Sequence, residues 1–203
     1  MFVEHEYIDI TLFYLYKMEE PKVILEKQRF GLTIDRLCHQ LVESFTSSMS
    51  FCLIGIQERG AVFSDRIKER IHQLYPESDF SYGKLDISFY RDDFRTREKP
   101  LKVSSTEMDF LVEGLHVVLI DDVLYTGRTV HSAMAALMDF GRPASIRYMT
   151  LVDRRFNRHF PIKADYSGIT VDAVDEAYVK VEWSHLNGED RILLFSAKMD
   201  RNR

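Results

Sequence analysis

Two adjacent aspartates, Asp121 and Asp122, lie between an apolar stretch and a glycine-containing turn, and this junction constrains the fold more than any other feature of the chain. Residues 115–120 before them are rich in branched aliphatic side chains, as is typical of a strand buried on both faces of a parallel sheet. Apolar residues then recur at helical spacing over 129–140, and Gly141 predicts the end of that helix. The pattern predicts a strand, a loop and a helix, with the acids at the carboxyl end of the strand.

The loop after the acids has the composition of an anion-binding turn. Gly127 can adopt a positive φ, which lets backbone N–H groups converge on one anion, and the helix N-terminus favours negative charge. Asp121 and Asp122 can accept hydrogen bonds from two vicinal hydroxyls. We therefore predict a site for a ribose 5-phosphate. The alternative, in which the acids only cap a helix, leaves two buried acids without partners.

Strand and helix patterns alternate along the rest of the chain. We predict strands at 51–56, 84–90 and 146–152 and helices at 28–45 and 61–74. Repeated units of this kind predict an α/β fold, a doubly wound and mostly parallel sheet whose ligand site lies beyond the carboxyl ends of the strands. A C-terminal β hairpin is predicted around Asn187 and Gly188.

Composition is consistent with one domain. The chain has 203 residues, of which 45% are hydrophobic, and its net charge is −5. This acidic balance gives no global attraction to nucleic acid, so any RNA binding has to be local. We found no membrane-span or signal-peptide pattern, so we expect a cytoplasmic protein without a membrane partner. Cys38 and Cys52 are interpreted as packing residues and not as a disulfide or a metal site.

We divide the chain into an N-terminal extension, 1–21, and one domain, 22–203. Two interpretations of the extension remain open. Met18 is either the native start, in which case residues 1–17 do not belong to the native protein, or the apolar stretch 8–16 forms an added strand at an edge or an interface.

Residues 121–130 resemble the phosphoribosyl-pyrophosphate (PRPP) binding motif of the type I phosphoribosyltransferases. The resemblance extends over roughly 22–195 and includes segments 55–60, 85–93, 141–143, 151–154 and 160–166. Within the family it is strongest to the pyrimidine operon attenuators with uracil phosphoribosyltransferase activity. It implies the family's sheet with a small hood. It also implies Mg²⁺-dependent transfer from PRPP to a nucleobase, with uracil favoured, giving the nucleoside 5′-monophosphate and pyrophosphate.

The resemblance also implies roles for individual residues. The catalytic set is Arg59, Arg91, Asp121 and Asp122. The PRPP-binding set is Gly60, Asp121, Asp122, Tyr125, Thr126, Gly127, Arg128 and Thr129. The base-binding set is Tyr125, Val152, Asp153 and Arg154. Mg²⁺ is expected mainly through PRPP oxygens, without a protein metal ligand. Segment 90–99 resembles a mobile loop that folds over bound PRPP, and relatives of this kind imply a homodimer or a larger homo-oligomer.

Several segments depart from the family pattern, among them residues 169–173, which follow Gly168. Gln57 and Glu58 stand where Lys-Thr is usual in the pyrophosphate loop, and an acid beside pyrophosphate is unfavourable unless it faces away. Segment 154–161 is one residue longer than its counterpart in the subfamily and differs in character. These departures leave the base and the catalytic efficiency open.

A regulator that senses PRPP or nucleotides and binds the RNA of pyrimidine genes, with weak or no catalysis, is the alternative. RNA binding needs aligned basic side chains that meet several phosphates. Gly31 and Leu32 stand where the attenuators present an arginine pair, although Arg36 and His39 remain. A second basic cluster is equally well explained as the rim of a site for an anionic substrate; its members are Arg154, Arg155, Arg158, His159 and Lys163. RNA is therefore a possible but not a favoured partner.

Overall fold

The structure is a computed structural model that describes residues 21–45, 50–91, 105–173 and 177–195. The strands are β1 (Lys22–Leu25), β2 (Phe51–Ile56), β3 (Ser81–Leu85), β4 (His116–Leu124), β5 (Ser145–Arg154), β6 (Tyr166–Val171), β7 (Tyr178–Glu182) and β8 (Arg191–Phe195). The helices are α1 (Lys27–Glu43), α2 (Arg59–Leu74), α3 (Arg128–Leu137) and α4 (Ser184–Asn187), with single 3₁₀ turns at Ser88–Tyr90 and Met138–Phe140.

The described residues divide into two compact units. Residues 28–172 form one unit, and the described residues before 28 and after 172 form the other. Within the described ranges, no helix is long and apolar enough to cross a membrane. The predicted boundary between residues 21 and 22 involves residues outside the described ranges and stays a prediction.

The larger unit is built on a five-stranded parallel sheet with the order β3-β2-β4-β5-β6. One face is packed against α3, and the core there includes Ile54 of β2 and Val130 and Leu137 of α3. Gly55 faces the other side, where an added Cβ would lie 2.9 Å from the Cα of Ala61 in α2. Helices therefore cover both faces, which confirms the predicted doubly wound fold.

Helices α1 and α2 contact each other through a buried thiol and an ion pair. Cys38 Sγ lies 3.9 Å from the carbonyl oxygen of Ile67, and the Arg70 guanidinium donates two hydrogen bonds to Asp35 at 2.6 and 2.9 Å. Cys38 and Cys52 are both free and buried, and burial raises the pKa of each thiol to about 12. The interpretation of both cysteines as packing residues is confirmed.

Two predicted strand boundaries were wrong. Instead of a strand over 84–90, β3 ends at Leu85 and a 3₁₀ turn follows, because Asp86 Oδ1 accepts hydrogen bonds from Ser88 N at 2.9 Å and from Ser88 Oγ at 2.7 Å. Such local side-chain bonds compete with continued strand pairing. In the other case β4 continues to Leu124, because its pairing with β5 continues past the acids. Asp121 therefore lies within the strand and not after it.

The smaller unit is a three-stranded antiparallel sheet with the order β1-β8-β7. The predicted pairing of the two C-terminal strands is confirmed. Their connection is longer than a two-residue turn because α4 lies between them and ends at Gly188, whose φ is +87°. The strand at Lys22–Leu25 was not predicted, since four residues show too little alternation to be recognised.

Candidate active site

A cavity of about 220 Å³ opens at the carboxyl end of β4. Several residues predicted from sequence line it together: Arg91, Asp121, Tyr125, Thr126, Gly127, Arg128 and Thr129. Val123, Leu124, Val130 and Tyr148 complete the wall. The carboxylate, the loop and one arginine of the predicted site thus share one concavity at the sheet edge where α/β folds place ligands.

Asp121 and Asp122 are nearly inaccessible to solvent. Their relative exposures are 7% and 6%, and the backbone N–H of Asp122 donates to Asp121 Oδ1 at 3.0 Å. Asp122 does not line the cavity, and its Oδ2 is buried without a hydrogen-bond partner among the described residues. A buried oxygen in this state is costly unless a ligand supplies its partner.

Burial raises the pKa of both carboxyls. For Asp121 the pKa is well above its usual range because of burial and the neighbouring Asp122 charge, while Arg91 and Arg59 oppose the rise. For Asp122 burial is again the first cause, and Arg59 is the main opposing charge. The two buried acids thus repel each other, and the charges of Arg59 and Arg91 reduce the effect of that repulsion on their pKa values.

Two side chains of β5 support the acid pair. Thr150 Oγ1 accepts a hydrogen bond from Leu124 N at 3.1 Å and lies 3.2 Å from the carbonyl oxygen of Asp122. Tyr148 lines the cavity, and burial followed by the charge of Asp121 raises its pKa well above the usual value. We did not predict either residue from sequence, because both read as core positions of a strand.

Helix α2 begins against the strand that carries the acids. A Cβ on Gly60 would lie 2.5 Å from the carbonyl oxygen of Ile120 and 2.9 Å from Asp121 Cα, so only glycine permits this approach. Gly60 and Arg59 do not line the cavity, but the Arg59 charge acts on both acids. The start of α2 therefore packs against the backbone of β4 at Ile120 and Asp121 and helps to position the acid pair.

The segment before α2 carries the departures from the family pattern. The Gln57–Glu58 peptide bond is cis, and Gln57 Nε2 donates to the carbonyl oxygen of Ser105 at 3.2 Å. Glu58 is exposed at the N-terminus of α2, where the helix dipole favours an acid. Of the predicted mobile loop at 90–99, only Tyr90 and Arg91 lie among the described residues.

Tyr125 is surrounded by the segment that follows β5. The Arg154 guanidinium lies 3.9 Å from the centroid of its ring, and Asn157 Nδ2 donates to its hydroxyl oxygen at 3.1 Å. Of the other predicted base-binding residues, Val152 is fully buried and Asp153 is ion-paired with Arg158. Asn157 and Arg158 were missed as site residues, although the extra residue in 154–161 marked this segment as unusual.

The turn at Gly127 has the geometry that the sequence predicted. Its φ is +86°, and Phe160 Cβ and Ile162 Cδ1 lie 3.4 Å from the place of an added Cβ. His159 N and Phe160 N both donate to the carbonyl oxygen of Thr126, at 2.9 and 3.2 Å. The segment after β5 therefore packs directly over the loop and holds its conformation.

Replacing Gly127 by Ala should weaken binding of PRPP, the ligand predicted from sequence, about tenfold and destabilise the fold by about 1–2 kcal/mol, because left-handed backbone is unfavourable with a Cβ. Gly188→Ala is a matched control, since its φ is +87° and nothing lies within 4 Å of the added Cβ. Thermal melting and PRPP titration should show a similar loss of stability in both variants, with weaker PRPP binding only at position 127. Equal PRPP affinities in the two variants would refute a role for the turn in binding.

Comparison with known proteins identifies the family to which this chain belongs. The family profile of the phosphoribosyl transferase domain matches residues 22–185. The hypoxanthine phosphoribosyltransferases of Staphylococcus aureus and Trypanosoma cruzi both superpose with a TM-score of 0.63, at 21% and 16% identity. The alignments cover 89% and 85% of this chain and 94% and 95% of those chains. The chain belongs to the phosphoribosyltransferase family and has the type I fold.

Curated relatives narrow the comparison further. The protein named "Bifunctional protein PyrR" of Elusimicrobium minutum is 38% identical over 180 residues, which is 88% of this chain and 99% of the relative. The protein of the same name from Bacillus mycoides is 37% identical over 180 residues, with the same coverage. This chain is thus similar to PyrR proteins over nearly their whole length.

Proposed function

We propose that this protein transfers the phosphoribosyl group from PRPP to a nucleobase, with uracil as the favoured acceptor. The observation that supports the proposal is a cavity of about 220 Å³ that is lined both by Asp121 and by the loop from Tyr125 to Thr129. A ribose 5-phosphate has hydroxyls for the carboxylate and an anion for the helix N-terminus, so one ligand satisfies both features.

In this proposal the chain's own residues bind and orient PRPP. Asp121 accepts hydrogen bonds from the ribose hydroxyls, and the loop at Gly127 holds the 5′-phosphate. Asp122 does not line the cavity, and its buried Oδ2, which has no partner among the described residues, is assigned as the second acceptor. Arg59 and Arg91 provide positive charge near the leaving pyrophosphate, since the charges of both already act on Asp121. Transfer passes through a positively charged sugar, and the fixed carboxylates beside it stabilise that charge.

The cavity wall is compatible with Mg²⁺, the expected cofactor. Its lining contains carboxylate, phenol and threonine oxygens but no imidazole or thiol among the described residues, and Mg²⁺ prefers oxygen ligands. Bound through PRPP oxygens, Mg²⁺ would neutralise the charge of the pyrophosphate. The described residues contain no group of three or more histidine, cysteine or acidic side chains placed to hold a metal.

A role in RNA regulation is the second candidate, favoured by the word "bifunctional" in the names of the PyrR relatives. The side chains that would carry it are engaged within the chain. Arg36 donates to the carbonyl oxygen of Ser167 at 3.1 Å, and His39 Nδ1 lies 2.5 Å from the Tyr75 hydroxyl. Because binding of RNA phosphates requires available cations, these contacts favour the enzyme.

Three of the five members of the second basic cluster also have partners within the chain. Arg155 forms two hydrogen bonds of 2.6 Å with Asp172, and Arg128 Nε donates to His159 Nδ1 at 3.2 Å. Arg158 is ion-paired with Asp153. This pairing reduces the charge that the cluster offers to an RNA backbone.

We also propose that the protein is cytoplasmic and forms a homodimer or a larger homo-oligomer.

The decisive test of the proposed activity is pyrophosphate release from PRPP and Mg²⁺ with single bases. Uracil should be compared with hypoxanthine, guanine, adenine, orotate and no base, and mass spectrometry should identify the nucleotide product. We expect release and uridine 5′-monophosphate (UMP) with uracil alone. Release of pyrophosphate with hypoxanthine or guanine would show that the acceptor is a purine base and not uracil. Tight PRPP binding with no release on any base would favour the regulator.

A further inference from the structure

One short segment holds Tyr125 at three separate points. The Arg154 guanidinium covers its ring at 3.9 Å from the centroid, and Asn157 Nδ2 donates to its hydroxyl oxygen at 3.1 Å. Arg158 Nη1 donates to its carbonyl oxygen and also to those of Leu124, at 3.2 Å, and Arg154, at 2.8 Å. Tyr125 is therefore a rigid part of the cavity wall, with its ring, hydroxyl and backbone each fixed.

The backbone of the segment is itself constrained. Phe156 has a φ of +83°, a left-handed conformation that is unfavourable for a phenylalanine, and its side chain is 74% exposed. On its N-terminal side, Arg155 N donates to the carbonyl oxygen of Val171 at 3.0 Å, and the Arg155 side chain is paired with Asp172. A strained and exposed residue between anchored neighbours indicates that the turn serves to place the residues around it.

The direction of the hydrogen bond at the Tyr125 hydroxyl determines what this wall offers to a ligand. The oxygen accepts from Asn157, its partner among the described residues, so the phenol proton remains available for an acceptor. The guanidinium groups of Arg154 and Arg158 are donors only. Asp153, the acid of the segment, is engaged by Arg158. Arg154, Asn157 and Arg158 do not themselves line the cavity, so the donor that this part of the wall offers to a ligand is the Tyr125 hydroxyl.

We infer that Asn157 determines the base specificity of the cavity by orienting the Tyr125 hydroxyl as a donor, which selects a base with a carbonyl oxygen over one with an amino group. The inference rests on the proposed function for the kind of ligand. Uracil and cytosine differ by this exchange of oxygen for nitrogen at ring position 4. An amino group there would face the phenol proton of Tyr125, and two facing donors leave both polar groups unpaired in a buried contact, which is strongly disfavoured.

The test compares binding of UMP and cytidine 5′-monophosphate (CMP) by calorimetry, which does not require turnover. Wild type should bind UMP at least about tenfold tighter than CMP. Asn157→Asp replaces the donor by a carboxylate that accepts the phenol proton, so the ratio of the two Kd values should fall to about one or favour CMP. Phe156→Gly, which removes the backbone strain but loosens the turn, should reduce the ratio in the same direction.

A matched control is Asn187→Asp, which makes the same change of charge in the other compact unit. Its side-chain oxygen accepts from Trp183 N at 3.1 Å, a role that a carboxylate retains, so the UMP to CMP ratio should be unchanged. A ratio in Asn157→Asp within twofold of wild type would overturn the inference, as would a wild type that does not distinguish the nucleotides.

Failure of the inference can be told apart from failure of the proposed function. If wild type releases pyrophosphate with uracil while Asn157→Asp keeps the wild-type ratio of UMP and CMP Kd values, the proposed activity is supported and the role of Asn157 is refuted. If no base supports pyrophosphate release but wild type binds UMP more tightly than CMP and Asn157→Asp does not, the role of Asn157 is supported and the proposed transferase activity is refuted.

Discussion

The double variant Asp121→Asn, Asp122→Asn should lose about 10²–10⁴-fold in kcat/KM for PRPP. Each carboxylate is assigned a charged hydrogen bond to a ribose hydroxyl, and such bonds contribute roughly 1.5–3 kcal/mol each. They also provide the negative charge that opposes the developing charge on the sugar. Initial rates of pyrophosphate release, measured over a range of PRPP concentrations, test this expectation.

The same variant should be more stable than wild type in the absence of ligand. Both carboxyls are buried and their pKa values are raised, so ionising them opposes folding. We expect a gain of about 1–2 kcal/mol at neutral pH, which is roughly 2–8 °C in Tm for a chain of this size. Greater stability with lost activity would show that the acids are retained for binding.

The dependence on pH follows from the direction of these shifts. A raised pKa in the folded state means that the carboxyls stabilise the fold fully below their unfolded pKa of about 4 and lose that contribution as pH rises through the folded pKa. The unfolding free energy of ligand-free wild type should therefore fall above pH 4 relative to that of the double variant. Denaturant titrations at several pH values measure the difference.

Asp79→Asn is a suitable control because Asp79 is exposed and outside the cavity. Its stability and rates should match those of wild type. Unchanged activity in the double variant would reject the assigned role of the acids. Destabilisation at neutral pH would instead show that their charge is balanced by partners in the fold.

Gly60→Ala should reduce both stability and PRPP use. The new Cβ would lie 2.5 Å from the Ile120 carbonyl oxygen and 2.9 Å from Asp121 Cα, which are backbone atoms of a central strand and cannot yield easily. We expect a loss of about 1–3 kcal/mol from this overpacking. Displacing the acid by a fraction of an ångström should lower kcat/KM for PRPP about 10–100-fold.

Gly31→Ala makes the same change where there is room. Nothing lies within 4 Å of its added Cβ, and the residue is in the interior of α1. Alanine there should stabilise the fold by about 0.5–1 kcal/mol and leave the rate unchanged. If Gly60→Ala behaved like Gly31→Ala in melting and rate measurements, the close approach of α2 to β4 would be irrelevant to the site.

Much of the fold was predictable because it depends on short-range patterns. The strand at Phe51–Ile56 was predicted with its observed bounds, and α2 and α3 lie within two or three residues of prediction. Apolar periodicity specifies such elements locally. The end of β3 was misplaced because the alternating pattern of 84–90 does not show that Ser88 donates two hydrogen bonds to Asp86 and so ends the strand.

The candidate site was predictable to the extent that its residues are adjacent in sequence. Asp121 and the loop through Thr129 belong to one segment, and their convergence on a cavity follows from the strand-loop-helix unit. Tyr148 and Thr150 were missed because they belong to the neighbouring strand. The register of Thr150 opposite Asp121 is a long-range pairing that no local pattern contains.

Local patterns in the sequence were sufficient to predict the α/β class, the family and the loop that joins β4 to α3, because hydrophobic periodicity and a contiguous motif are local properties. The tertiary structure was needed to show that the acids repel each other, that Gly60 packs against Asp121, and that Asn157 donates to the Tyr125 hydroxyl. These features arise where distant segments meet, and their energies depend on burial and distance, which a linear pattern does not specify.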